Sequence, residues 1–255
     1  MKKISVLLGV LLFSTALEAT PQGQYAVGLL IVATGKYIDW VQSLISSADV
    51  HFLPEQRVTY FIFTDSSAHL AYEKQIESTR DVKMLPHKRL GWPYDTLMRP
   101  KVYYYYRDAL SEMDYLFATD ADMRFVDTVG DEILGERVAT QHPGYVNRRG
   151  TYERRITSTA YVASHEGTCY FAGGFNGGTR SEYLKLCKTV TDNILLDIKN
   201  RLVAVWHDES HINRYFIDNP PTIILSPSYC YPESVHLPYH KRLLALDKNH
   251  AEMRK

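Results

Sequence analysis

The stretch Tyr115-Leu-Phe-Ala-Thr119 is a short apolar run that stops abruptly at Asp120-Ala121-Asp122, after which Met123-Arg124-Phe125 resumes the hydrophobic pattern. A run this short, closed by a polar stop, suits a buried strand and not a buried helix. In open α/β sheets, ligands collect where strands leave the sheet at their carboxyl ends. Two carboxylates one residue apart at such a place repel each other unless a cation or positive side chains share the site. An Asp-x-Asp sequence also suits a simple polar turn, and the pair taken alone leaves both readings open.

The flanking sequence repeats the same grammar. Tyr25 to Ala33 reads as a buried strand ended by Thr34-Gly35-Lys36, and Tyr37 to Ala48 carries apolar residues at helical spacing (Ile38, Val41, Leu44, Ile45). Val58 to Phe63 is a second β-branched and aromatic strand, closed by the helix-entry sequence Thr64-Asp65-Ser66-Ser67. Ala68 to Ser78 reads as helical, Val82 to Leu85 as a short strand, and Pro100 to Met113 as a helix with Pro in its first turn. Ser181 to Lys199 is the longest helical candidate, and Trp206-His-Asp-Glu-Ser-His211 opens another. Strand–helix alternation of this kind predicts an α/β fold with a mostly parallel central sheet flanked by helices.

Met1-Lys2-Lys3 followed by the apolar run Ile4 to Leu17 has the layout of a secretory signal peptide, with Ala19 at a candidate cleavage site. Leu17 at the −3 position departs from the small-residue pattern, so a short uncleaved membrane anchor is the alternative. Residues 1–22 are therefore set apart, and residues 23–255, which show no repeat and no linker, are read as a single catalytic domain. Lys+Arg and Asp+Glu balance at 29 each, which argues against a nucleic-acid partner. The Arg148, Arg149 and Thr151-Tyr-Glu-Arg-Arg155 region is accordingly read as a solvated loop. The 19 tyrosines offer flat apolar faces with hydroxyls, suited to sugars and bases. Cys169, Cys187 and Cys230 form no metal spacing and allow one bridge at most.

Gly173-Gly-Phe-Asn-Gly-Gly178 lets backbone approach a ligand closely but does not match a dinucleotide fingerprint. His207 and His211 stand at i and i+4 as in zinc H-E-x-x-H sites, yet Asp follows the first His, the Glu is displaced by one and no third ligand is evident. Two other readings stay open: acids serving a helix N-terminus, and Glu209 presented to a substrate beside a stacking Trp206. Lys248, His250, Arg254 and Lys255 form a basic tail, expected to be mobile.

A series of longer motifs carries a resemblance: Val32-Ala-Thr-Gly-Lys-Tyr37, Phe63-Thr-Asp65, Asp114-Tyr-Leu, Asp120-Ala-Asp122-Met, His142-Pro-Gly144, Thr151-Tyr-Glu-Arg-Arg155, Gly173 to Gly178, Trp206 to His211 and Lys248-Asn-His250. In this order they resemble glycosyltransferase family 6, that of the histo-blood-group A/B transferases and the α1,3-galactosyltransferase, and most closely its short bacterial members. The resemblance implies a GT-A type nucleotide-sugar-binding fold. It also implies retaining, metal-dependent α1,3 transfer of N-acetylgalactosamine or galactose from a UDP-sugar to a terminal, fucosylated galactoside. A protein exported to the periplasm or cell envelope of a bacterium, or membrane-associated there, fits the N-terminus.

Carried over by position, Asp120, Ala121 and Asp122 resemble the D-x-D that holds Mn²⁺ (or another divalent cation) and the donor diphosphate. Bacterial relatives with Asn at the two acids dispense with metal, so the acids imply metal dependence here. Val32, Ala33, Thr34 and Tyr37 match the uridine site, with Tyr37 as ring partner; Arg99 and Asp208 match donor contacts; Lys248 and Arg254 match the tail that closes over the diphosphate. Glu209 corresponds to the proposed nucleophile, by a covalent or a same-face route. Ala172, Gly173 and Gly174 fall where donors are discriminated, and Gly174 matches the form using N-acetylgalactosamine. His142, Thr151, Trp206 and Glu209 match acceptor contacts. The family's acceptor-binding Asp falls near Pro232-Glu233, where only Glu233, shifted by one residue, could serve. A non-catalytic carbohydrate-binding protein on the same scaffold is the alternative.

Overall fold

A computed structural model describes residues 24–65 and 76–253. The residues set apart at the N-terminus, most of the helix expected over 68–78, and Arg254 with Lys255 lie outside the described residues. Ten strands are described: β1 (Ala26–Val32), β2 (Arg57–Thr64), β3 (Asp81–Pro86), β4 (Tyr115–Asp120), β5 (Met123–Phe125), β6 (Arg137–Gln141), β7 (Phe171–Thr179), β8 (Ile223–Leu225), β9 (Tyr231–Pro232) and β10 (Leu243–Ala245). The described α-helices are α1 (Ile38–His51), α2 (Tyr94–Leu97), α3 (Arg99–Tyr105), α4 (Arg180–Lys199), α5 (His207–Asp218) and α6 (His250–Met253).

The strands form a seven-stranded sheet, ordered β3-β2-β1-β4-β7-β6-β8, and a small sheet, β5-β10-β9. In the large sheet only the β4–β7 and β6–β7 pairs are antiparallel. It is an α/β sheet, mostly parallel and flanked by helices, as the sequence predicts. β1 has no polar side chain because it lies between β2 and β4 and is buried on both faces. Its alternation divides the core. Val27, Leu29 and Ile31 pack toward α1 with Tyr60, Ile62 and Phe117. Ala26 and Leu30 pack toward α3, α4 and α5 with Phe61, Phe63, Leu116 and Ala118.

Parallel register then sets the site. Val32 pairs with Phe63 on one side and Asp120 on the other, so three strands end level, with Asp120 on the rim. Asp65 and Asp114, both within the recurring motifs, are structural: Asp65 Oδ1 accepts from Gly35 N at 2.8 Å, and Asp114 Oδ2 accepts from Ala26 N at 2.8 Å.

Several expected elements change. The helix expected over 100–113 ends at Tyr105. The chain continues in turns closed by i to i+3 bonds, such as Leu110 N to Arg107 O at 3.2 Å, which turn Leu110 and Met113 into the core. β6, β8 and the small sheet have no counterpart in the sequence reading, because strands of two to five residues show almost no periodicity. The glycine run is a strand, β7. A Cβ on Gly177 would stand 2.3 Å from Phe117 Cδ1 and one on Gly178 2.1 Å from Glu136 O, so its second half is glycine for packing. All three cysteines are free.

Candidate active site

Asp120 and Lys248 line three adjoining hollows, which together make one cleft along the rim of the sheet. The first holds Val32, Thr34, Tyr37, Arg99, Ala121 and Asp122. The second, about 320 Å³, holds Gly173, Gly174, Trp206, Asp208 and Glu209. The third, about 410 Å³, holds His142, Ala172 and again Glu209. Residues expected from distant parts of the chain thus come together in an order: nucleotide motif, glycines and α5, then His142.

Asp120 and Asp122 in the first hollow and Asp208 in the second each have a basic partner, whereas Asp95, which also lines the first, accepts from the Leu90 and Gly91 N–H groups at 2.7 and 3.0 Å. Arg99 pairs with Asp120 through Nη1 and with Asp208 Oδ2 through Nε at 2.8 Å. Burial works to lower the Arg99 pKa, but the Asp120 and Asp208 carboxylates outweigh it and hold the pKa well above its ordinary value. Burial pushes Asp208 up, against the pull of Arg99. Asp122 is 5% exposed and is raised by burial and then by the Asp120 charge, with Lys248 acting the other way through a direct hydrogen bond. Burial acts to lower the Lys248 pKa, and Asp122 and Asp120 raise it on balance. The Lys248 ammonium also lies 5.3 Å from the centre of the Tyr37 ring. The described part of the basic tail is therefore folded back over the strand ends and not left free in solvent.

Two carboxylates converging on one pocket, mutually repelling and balanced by basic side chains, fit a hard divalent cation that arrives with a polyanion. Among the described residues no group of three or more His, Cys, Asp or Glu could hold a metal. The protein would supply Asp120 and Asp122, leaving the remaining positions to ligand or water. His207 and His211 do not share an ion site. The His207 ring lies 4.6 Å from that of Trp92, whereas His211, 1% exposed, faces Asp197 at 3.8 Å and is pushed down to about 4 by burial.

Glu209 has different surroundings. It lies in the first turn of α5, whose N-terminal N–H groups favour negative charge. Its Oε1 accepts from Tyr170 O–H and its Oε2 from Gly173 N, each at 2.8 Å. Both donors are neutral, and burial outweighs them, pushing the carboxyl up to about 7. A Cβ on Gly173 would stand 3.4 Å from the Glu209 Cβ and 3.4 Å from Arg99 Nη2, at ordinary contact distance, so the strand, Glu209 and Arg99 are closely packed there. Beside it, a Cβ on Gly174 would stand 3.2 Å from Cys230 Sγ and 3.5 Å from Asp120 Oδ2. Trp206, 47% exposed, borders the same hollow, and its backbone N–H bonds Ser210 Oγ at 3.0 Å, tying down the start of α5.

His142 Nδ1 accepts from Gly144 N at 3.0 Å, which leaves Nε2 as the protonated nitrogen of a neutral ring, and burial lowers its pKa.

Three expected site residues fall elsewhere. Ala33 is fully buried in the core, because strand alternation sends its neighbours Val32 and Thr34 to the cleft and its own side chain inward. Thr151 Oγ1 is shared with the Tyr145 hydroxyl at 2.6 Å and lines none of the three hollows. The Glu233 carboxylate is turned away to Arg124 at 3.5 Å and the Asp247 N–H at 3.0 Å. Sequence reasoning missed Trp92, Thr96, Tyr170 and Asp247. Tyr170 carries no local signal: it is buried and in ring contact with His142, Tyr145 and Tyr152 at 5.0–5.8 Å.

The family model of glycosyltransferase family 6 matches residues 14–255. The chain is 33% identical over 237 residues to histo-blood group ABO system transferase 1 of Rattus norvegicus, covering 89% of this chain and 68% of that protein. It is 34% identical over 240 residues to globoside alpha-1,3-N-acetylgalactosaminyltransferase 1 of Homo sapiens, covering 88% and 67%. To O-antigen biosynthesis glycosyltransferase WbnI of Escherichia coli it is 28% identical over 227 residues, covering 87% of this chain and 94% of that protein. The cleft with its paired Asp120 and Asp122 and its partly buried Glu209 is thus set in a chain that belongs to glycosyltransferase family 6.

Proposed function

We propose that the protein is a retaining α1,3-glycosyltransferase that moves N-acetylgalactosamine, or galactose, from a UDP-sugar to a terminal galactoside. The observation that carries this reading is the asymmetry of the cleft: carboxylates balanced by cations at one end, and Glu209 held by neutral donors at the other.

Uracil stacks on Tyr37, and the diphosphate lies against Asp120, Asp122, Arg99 and Lys248. A divalent cation held by the two Asp residues would neutralise the diphosphate and stabilise UDP as it leaves. Lys248 and Arg99 hold positive charge next to the same oxygens and keep the leaving group oriented. The donor sugar sits over Gly173 and Gly174, where the missing side chain at Gly174 gives room to an acetamido group, which favours N-acetylgalactosamine over galactose. Glu209, ionised, offsets the oxocarbenium charge that develops at the anomeric carbon. His142 donates from Nε2 to an acceptor hydroxyl, and Trp206 offers an apolar face to the sugar ring. The apolar run at residues 4–17 supports an exported or membrane-associated protein, which N-terminal sequencing of the mature chain would test.

The experiment is a donor-by-acceptor activity matrix, with and without Mn²⁺, over fucosylated and unfucosylated galactosides. The expected result is Mn²⁺-dependent, acceptor-dependent UDP release, an α1,3-linked product and preference for UDP-N-acetylgalactosamine. Tight UDP binding with no turnover on any galactoside would contradict this reading, and galactoside binding without turnover would instead favour a non-catalytic carbohydrate-binding protein.

A further inference from the structure

The third hollow contains a carboxylate that no motif marks. Asp247 lines it together with His142, Glu209 and Pro232. Its side chain is exposed, and among the described residues it takes no hydrogen bond or ion pair. Its backbone, by contrast, is fixed on both sides. The Leu246 N–H bonds Asp122 O at 3.0 Å, and the Asp247 N–H bonds Glu233 Oε2 at 3.0 Å. Pairing of β10 with both β5 and β9 holds the segment just before it. Glu233 therefore acts as a support: its oxygens are taken by Arg124 and by the Asp247 backbone, and it does not line the hollow.

Resting on the glycosyltransferase reading above, we infer that Asp247 determines acceptor specificity by accepting hydrogen bonds from two hydroxyls of a neutral acceptor sugar. An ionised carboxylate is acceptor-only, and neighbouring hydroxyls on a pyranose present two donors at matching separation. His142 contributes the opposite polarity, a donating Nε2, on the same hollow. A sugar is then oriented by one donating and one accepting wall. The same arrangement excludes acidic sugars. Asp120, Asp122, Glu209 and Asp247 all line the hollow, against His250 and Lys248, of which Lys248 is bonded to Asp122. A carboxylated acceptor meets like charge there, an instance of selection by repulsion.

The test compares the full chain with Asp247→Asn and Glu233→Gln, using methyl β-galactoside and its 6-carboxylate, methyl β-galacturonide. Acceptor Kd is measured by NMR titration with UDP and Mn²⁺ present, and acceptor and donor KM are measured with UDP-N-acetylgalactosamine. Asp247→Asn should raise the Kd and KM for methyl β-galactoside about tenfold, the loss expected when hydrogen bonds to a charged group go. Donor KM should move less than about twofold, a separation that a general loosening of the tail would not give. The preference for galactoside over galacturonide should narrow. Glu233→Gln, which keeps an oxygen for the Asp247 N–H, should shift acceptor affinity much less. Unchanged acceptor Kd in Asp247→Asn, equal rises in donor and acceptor KM, or a larger effect from Glu233→Gln overturns the assignment to Asp247. Wild-type protein that binds UDP but neither binds nor glycosylates any galactoside overturns the function reading, and this inference with it.

Discussion

The two ends of the cleft hold the same functional group in opposite electrostatic settings. Asp120, Asp122 and Asp208 are each bonded to Arg99 or Lys248. Glu209, the residue after Asp208 on α5, is bonded to a tyrosine hydroxyl and a backbone amide. A carboxylate with a cation beside it is a fixed anchor whose charge is already balanced. A partly buried carboxylate bonded only to neutral donors has its charge less fully compensated, and positive charge developing next to it, as when a sugar's leaving group departs, is stabilised there. Partners, and not residue type, set these carboxylates apart.

The comparison can be broken at each end. The largest effect belongs to Glu209→Gln, which should lower kcat on the order of 10³-fold while UDP affinity persists. Linkage gives this variant a second signature. The folded-state pKa of Glu209, about 7, stands above its ordinary 4.5. Its ionisation therefore costs stability progressively as pH rises from about 4.5 to about 7, and the cost stays constant above that. At pH 8 the Gln variant should melt at the same temperature as wild type or higher, and a clear drop in Tm would show that the charge is compensated after all.

Next in size is Asp122→Asn at the other end, which should cost about 100-fold of the Mn²⁺-dependent rate with an unaltered circular dichroism spectrum. Full activity in that variant would mean a metal-independent enzyme. Between the ends, Gly174→Ala should reduce use of UDP-N-acetylgalactosamine relative to UDP-galactose about tenfold, because the new methyl group enters the space beside Asp120 and Cys230. Competition between the two donors measures this directly. The smallest effect is expected from Tyr170→Phe: removing the hydroxyl takes away a hydrogen bond that stabilises the ionised Glu209, so the pH–rate limb should move to higher pH with little loss of rate at its plateau.

The parts of this picture that were legible in the sequence are those encoded locally. Asp120 and Asp122 stand out because an apolar strand stops at them, and Lys248 because it belongs to a contiguous motif. The alternation that made β1 readable also determines that Ala33 points into the core, a consequence the motif match obscured. Tyr170 was invisible because its role exists only once α5 brings Glu209 against β7, and a buried tyrosine among 19 carries no mark of that. Glu233 falls outside the third hollow and Asp247, which no sequence signal marked, inside it for a similar reason. Their places depend on the two-residue strand β9 pairing with β10, an element too short to announce itself. The resemblance supplied the long-range pairings that periodicity could not.

The pH dependence of wild-type kcat/KM between pH 5 and 8.5, with uridine affinity measured on the same samples, tests whether Glu209, held by neutral donors, lacks a bonded cation. kcat/KM should rise with pH along a single limb near pH 7, as Glu209 ionises, while the affinity for uridine, which carries no titrating phosphate, shows no limb at that pH. A flat profile from pH 5 to 8, or a limb at the ordinary carboxylate value of about 4.5, would contradict it.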